Sequence, residues 1–228
     1  MRRPASGALA RYDGVVPATV VLVRHGITPL TEVGALSGGD VPGPPLTTAG
    51  RRQAAQAADA VFRIGKDLWP DVPRPGALVA SPTVRTQETA TAVGRRIGAR
   101  VRTEERFAEV RFGEWEAMLP EQVHATWPGG LARWVTEGTF APPGGESYAD
   151  LATRVQPALD DVVRHADEGT TSVVVAHAAV IRALVGLALD APPSAWGRVR
   201  VPPGSLSLLR VWPDGAREVT AVGFPAAD

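Results

Sequence analysis

The sequence predicts an α/β fold, a three-layer α/β/α sandwich with a mostly parallel central sheet. Two observations carry this. Three short apolar runs recur along the 228-residue chain, "ATVVLVR" (residues 18–24), "ALVAS" (77–81) and "TSVVVAH" (171–177). Strands without polar alternation are buried on both faces, as in parallel sheets. Between these runs lie segments with apolar residues at helical spacing, so strand and helix alternate and right-handed crossovers follow.

The elements follow in order. After "PPLTTAG", Ala54, Ala57, Ala58, Val61 and Phe62 mark the buried face of a helix capped by Thr47 or Thr48. "SPTVRTQETATAVGRRIG" reads as a helix with Ser81 as N-cap, Pro82 in the first helical position and Gly98 as its stop. Leu151, Val155, Leu159, Val162 and Val163 mark another helix, bent at Pro157. "AAVIRALVGLALD" is the helix that follows the third strand directly. Near the end, "SLSLLRVW" and "REVTAVGF" flank the turn signal "PDGA" and predict a hairpin. Residues 116–145 carry Trp127, Trp134, "PGG" and "APPGG" and read as a cap-like excursion, either a lid or an irregular surface layer. The expected organisation is a flexible tail over residues 1–17 and a single domain over 18–228.

Composition narrows the function. Hydrophobic residues make up 44% of the chain, enough for a real core. Lys+Arg and Asp+Glu both number 24, a balance without the basic excess of a nucleic-acid binder. With no cysteine, disulfides, thiolate zinc sites and a cysteine nucleophile are excluded. No apolar run reaches the roughly 20 residues of a membrane helix, and the N-terminus lacks the apolar core of a signal peptide. A cytoplasmic protein without membrane partners is expected. Six tryptophans leave room for an apolar contact surface, so a homodimer stays open.

Three of the apolar strands end in chemically capable residues. The first delivers Arg24 and His25, the second Ser81 and, a helical turn on, Arg85, and the third His177. In open α/β sheets, sites form beyond the carboxyl ends of strands. Two arginines and two histidines gathered there make an anion pocket, and a phosphoryl group suits it best. Helix N-termini add free N–H groups, and Gly26 would let the backbone approach the ligand. A neutral imidazole in such a pocket is a metal-free nucleophile towards phosphorus. The leaving oxygen then needs a proton, for which "FAEVRFGEWEA" offers Glu109, Glu114 and Glu116. His124 and His165 sit in polar contexts and read as surface residues.

In its motifs the chain resembles the histidine phosphatase superfamily, with a phosphoglycerate-mutase-like fold. The matching pieces are "LVRHGIT", "PLTTAGRRQA", "SPTVRTQETA", "AEVRFGEWEA", "PPGGES" and "VVVAHAAVIRAL", in that order. The resemblance implies that His25 is the phosphorylated nucleophile and that Arg24 and Arg85 bind the phosphoryl oxygens. It implies that His177 completes the pocket and Glu109 is the proton donor. Thr31 and the N–H of Ala178 would add phosphate contacts. Thr31 replaces a common asparagine, Ala178 a usual glycine and Ile27 a frequent glutamate, while "VPGPP" reshapes one rim. An alanine at 178 serves only if its φ is negative.

"FGEWEA" and "HAAVIR" resemble the phosphatase branch, near broad-specificity and alpha-ribazole phosphatase-like proteins. The implied activity is metal-independent hydrolysis of a small phosphorylated metabolite through phosphohistidine, with no cofactor and no metal. Two alternatives stand beside it: a phosphoglycerate mutase primed by a bisphosphate, and an idle module that binds a phospho-ligand.

Overall fold

In the first strand Val20, Val21, Leu22 and Val23 are all fully buried, and successive residues serve opposite layers. Val20 and Leu22 enter a cluster with Tyr148, Leu151, Val155 and Leu184, while Val21 and Val23 join Ala57, Val61 and Val93. That two-sided burial is why the run is apolar throughout, since a strand's side chains alternate between faces.

The computed structural model describes residues 16–40, 42–166 and 169–226. Most of the expected tail, residues 1–15, lies outside them. In chain order the elements are β1 (Ala18–Arg24), α1 (Pro29–Val33), α2 (Thr48–Arg63), β2 (Pro75–Ala80), α3 (Val84–Ile97), β3 (Val101–Thr103) and α4 (Pro120–Thr126). There follow α5 (Gly130–Glu137), α6 (Tyr148–Arg164), β4 (Thr171–Ala176), α7 (Ala178–Ala188), α8 (Pro193–Trp196), β5 (Leu206–Val211) and β6 (Arg217–Phe224). Among the described residues the strands form one six-stranded sheet in the order β3-β2-β4-β1-β5-β6. The four strands from β3 to β1 run parallel. β5 is antiparallel to both of its neighbours, so it alone runs against the rest. The predicted hairpin is β5–β6, turning at Gly215 with φ 84°.

Helices α2 and α3 cover one face and α6 and α7 the other. Thr47 caps α2, its hydroxyl accepting from the Gly50 N–H at 3.1 Å. Phe62 departs from the buried face expected of it. It is half-buried, with Lys66 and Arg96 cations 3.0 and 3.6 Å from its ring centroid. The N-cap of α3 is Thr83, not Ser81. Ser81 continues the β2 ladder, its N–H donating to the Val175 carbonyl at 3.0 Å, so the helix begins later. Ser147 caps α6 through a reciprocal pair with Asp150.

The stretch 116–145 is less irregular than its proline and glycine content suggests, because it holds α4 and α5. Its tryptophans are the reason. Trp134 stacks on Tyr148 with centroids 4.6 Å apart, and Trp115 meets Trp127 at 6.1 Å. None of the six tryptophans is exposed. Trp115, Trp134, Trp196 and Trp212 are buried, and Trp69 and Trp127 are half-buried. No described helix is long and apolar enough to cross a membrane.

Candidate active site

β1 and β4 pair in parallel with Arg24 opposite Ala176. The next residue on each strand is a histidine. The His25 N–H donates to the Ala176 carbonyl at 3.1 Å, which extends the ladder one step and brings the imidazoles of His25 and His177 to a centroid distance of 5.2 Å. β2, on the far side of β4, contributes Ser81, whose hydroxyl lies 2.7 Å from His177 Nε2. Arg85, in the first turn of α3, is almost completely buried. Its Nε donates to His25 Nε2 at 3.3 Å, and its Nη2 to the carbonyls of Ser37 and Gly38 at 3.2 and 3.1 Å. Arg24 Nη1 donates to the Val201 carbonyl at 2.7 Å.

These contacts fix the protonation of His25. Its Nδ1 lies 2.7 Å from the Gly26 carbonyl, so Nδ1 carries the hydrogen and Nε2 holds a lone pair facing Arg85. Burial, then Arg85 and Arg24, push the His25 pKa well below the ordinary histidine range. His177 is pushed down likewise by burial, Arg85, His25 and Arg24. Burial also lowers Arg24 to about 10, against the opposing pull of Glu109. Three buried polar atoms here, Arg24 Nε, Arg85 Nη1 and His177 Nδ1, have no hydrogen-bond partner among the described residues. Buried donors without partners are costly and uncommon. A buried cluster of guanidinium groups with spare donors has the chemistry of an anion receptor.

The three candidate acids separate cleanly. Glu109 is buried, and its Oε1 accepts from the Val110 N–H at 3.0 Å. Its Oε2 accepts from the Ala179 N–H at 3.3 Å, in the first turn of the helix that His177 caps. Glu116 takes the Gly38 N–H on both oxygens, at 3.0 and 2.8 Å. It thereby holds the loop whose carbonyls receive Arg85, and burial raises its pKa. Glu114 is exposed, as are His124 and His165.

His25, His177, Arg24, Arg85 and Glu109 thus converge, and the contacts of Thr31 are local. The Thr31 hydroxyl lies 2.9 Å from that of Thr28, which caps α1, and it bonds to none of those five among the described residues. Ala178 opens α7 with a negative φ, the condition set for its N–H to face a ligand. Gly26 has a packing role that the sequence did not announce. A Cβ there would lie 2.3 Å from the Gly50 carbonyl oxygen, and one at Gly50 2.0 Å from that of Ile27. The bare backbones let α2 pack onto the turn after His25.

Several residues of this surround carried no sequence signal. Gln53 accepts from the Ile27 N–H at 2.9 Å. Thr89 accepts from the Gly26 N–H at 3.3 Å and donates to the Arg85 carbonyl at 2.8 Å, tying the turn after His25 to α3. Thr89 lies four residues after Arg85 and shares its helix face, the one hint available.

Comparison with known proteins gives a consistent set of likenesses. The sequence pattern of the histidine phosphatase superfamily (branch 1) matches residues 20–222. A bifunctional protein of Mycobacterium tuberculosis strain H37Rv is 34% identical over 206 residues, 90% of this chain and 54% of that protein. The chain therefore spans about half the length of that relative. A glucosyl-3-phosphoglycerate phosphatase of the same species is 34% identical over 184 residues, 78% of each chain. The solved structure of a mycobacterial glucosyl-3-phosphoglycerate phosphatase with VO3 superposes with a TM-score of 0.80 at 28% identity, covering 91% of this chain and 99% of that one.

Proposed function

The chain belongs to the histidine phosphatase superfamily, and from that premise we propose that it is a metal-independent phosphomonoesterase acting on a small phosphorylated metabolite. The observation that carries the reading is the pairing of an unprotonated Nε2 on His25 with the buried Arg85 guanidinium, 3.3 Å away.

The reaction balances in two steps. His25 Nε2 attacks phosphorus, the P–N bond forms as the P–O bond to the leaving group breaks, and Glu109 gives its proton to the departing oxygen. Water then attacks the phosphohistidine and yields its proton to the Glu109 carboxylate. The P–N bond breaks with its electrons returning to Nε2, and inorganic phosphate leaves. Arg24, Arg85 and His177 stabilise the charge that spreads over the phosphoryl oxygens in both steps. The Gly26 carbonyl accepts the Nδ1 hydrogen throughout and holds the tautomer.

The test is hydrolysis of p-nitrophenyl phosphate in EDTA by the wild type and by His25→Ala. Metal-free turnover that the substitution abolishes supports the reading. A folded wild type without turnover overturns it in favour of a mutase or a binding module, which a bisphosphate-primed mutase assay separates. Glucosyl-3-phosphoglycerate, named for the mycobacterial relative, is the first metabolite to assay.

A further inference from the structure

We infer that Arg154, on α6, is a positioning residue that sets the place of the Glu109 carboxyl; the inference rests on the phosphatase reading above. Glu109 lies on a stretch between two short 3-10 turns, Glu105–Phe107 and Gly113–Trp115, with no strand or helix of its own. Its carbonyls have no ladder to join. Arg154 supplies what a ladder would. Its Nη1 donates to the carbonyls of Arg106 and Ala108 at 2.8 and 2.7 Å, and its Nη2 to that of Glu109 at 2.8 Å.

The remaining donors go to one carboxylate. Nε reaches Glu146 Oε1 at 3.0 Å and Nη2 reaches Oε2 at 2.9 Å. All five guanidinium hydrogens are therefore engaged, which leaves none for a phosphate and separates Arg154 from Arg24 and Arg85. Glu146 is itself anchored. It exchanges two bonds with the backbone of Arg111, at 3.0 and 2.8 Å, and its carbonyl accepts from Trp134 Nε1 at 3.0 Å. Residues 106–111 are thus gripped at both ends, with Glu109 between. The planar five-donor fork makes this arrangement, and a lysine ammonium with three donors on one atom does not.

Proton transfer depends steeply on position, and a displacement of about 1 Å can cost on the order of a hundredfold. The leaving group supplies a readout specific to that step. A 2,4-dinitrophenolate departs without a proton, whereas an alkoxide needs one. We would measure kcat/KM for 2,4-dinitrophenyl phosphate and for an alkyl phosphate in the wild type, R154A, R154K and Glu109→Gln. The R154K variant keeps the stem and the charge, and carries the test if R154A does not fold. The expected result is a loss of about 10²-fold on the alkyl ester with dinitrophenyl turnover within about threefold of wild type, the same selective pattern as Glu109→Gln. Equal losses on both esters, or none on either, overturn the role of Arg154. A wild type that hydrolyses neither ester overturns the phosphatase reading instead.

Discussion

Arg85 donates through Nε to Nε2 of His25 at 3.3 Å, and the same guanidinium is braced by the carbonyls of Ser37 and Gly38. The cation therefore faces the His25 lone pair from a fixed mount. In the proposed mechanism it lies where a phosphoryl group arrives before reaction and leaves after it.

Substitution of Arg85 should accordingly act on both binding and chemistry. Arg85→Ala is expected to raise KM and lower kcat together, with a loss in kcat/KM of roughly 10²–10³, the scale of one preorganised charge-stabilising donor. Steady-state kinetics on p-nitrophenyl phosphate reads this directly. A change in KM alone would reduce Arg85 to uniform binding.

The depressed histidines tie stability to pH. His25 and His177 both titrate well below the ordinary value of about 6.5. Above that pH both are neutral whether folded or unfolded. As pH falls through it, the unfolded imidazoles take up protons that the folded ones refuse, so stability drops until the folded pKa values are reached. Glu116, raised by burial, contributes with the opposite sign at lower pH. The thermal midpoint should fall between pH 7 and pH 5, and His177→Gln should flatten that slope. Equal slopes would place the imidazoles in a solvated setting.

The unpartnered buried nitrogens of Arg24, Arg85 and His177 should make the fold respond to an anion. Inorganic phosphate at a hundred times its Kd would stabilise the native state by about 2.7 kcal/mol. For a domain of this size each kcal/mol moves the midpoint by roughly 2–4 °C. The cations are the protein's own, so EDTA should change neither this shift nor turnover. Arg85→Ala should remove most of the shift, and a variant that kept it would locate the anion elsewhere.

Gly50 gives a structural prediction at the same site. A Cβ there meets the Ile27 carbonyl oxygen at 2.0 Å, backbone against backbone, with no flexible side chain to yield. Gly50→Ala should cost about 1–3 kcal/mol or more and lower kcat as well, since α2 would be pushed off the turn that holds His25. Urea melts alongside activity test both, and an unperturbed variant would mean that α2 moves freely at its N-terminus.

How much of this was legible in the sequence depended on whether the signal was local. The apolar runs at 18–24 and 171–177 announced strands because both faces of β1 and β4 are buried, and the polar residues at their ends announced a crevice. Ser81 misled because a serine before a proline looks like a helix cap. Here it prolongs a strand and turns its hydroxyl to His177, a partner 96 positions away. Thr31 has a local partner that its position did not announce, the Thr28 hydroxyl three residues back. Residues 116–145 looked irregular because their glycines and prolines mark the helix ends, while the tryptophans that fold them reach across to Tyr148. Arg154 gave no hint, because three of its five bonds go to main-chain carbonyls that no side-chain pattern encodes.

The 5.2 Å between the rings of His25 and His177 is close to the distance between neighbouring strands, about 4.8 Å. The two imidazoles are adjacent teeth on a comb whose pitch is set by the peptide hydrogen bonds between β1 and β4. Apolar swaps along either strand alter the filling between layers and leave the teeth in step. Inserting or deleting one residue in either strand carries its histidine to the opposite face of the pleat. This part of the chemistry is therefore written in a count of residues, so its walls can drift in composition while the two strand lengths cannot.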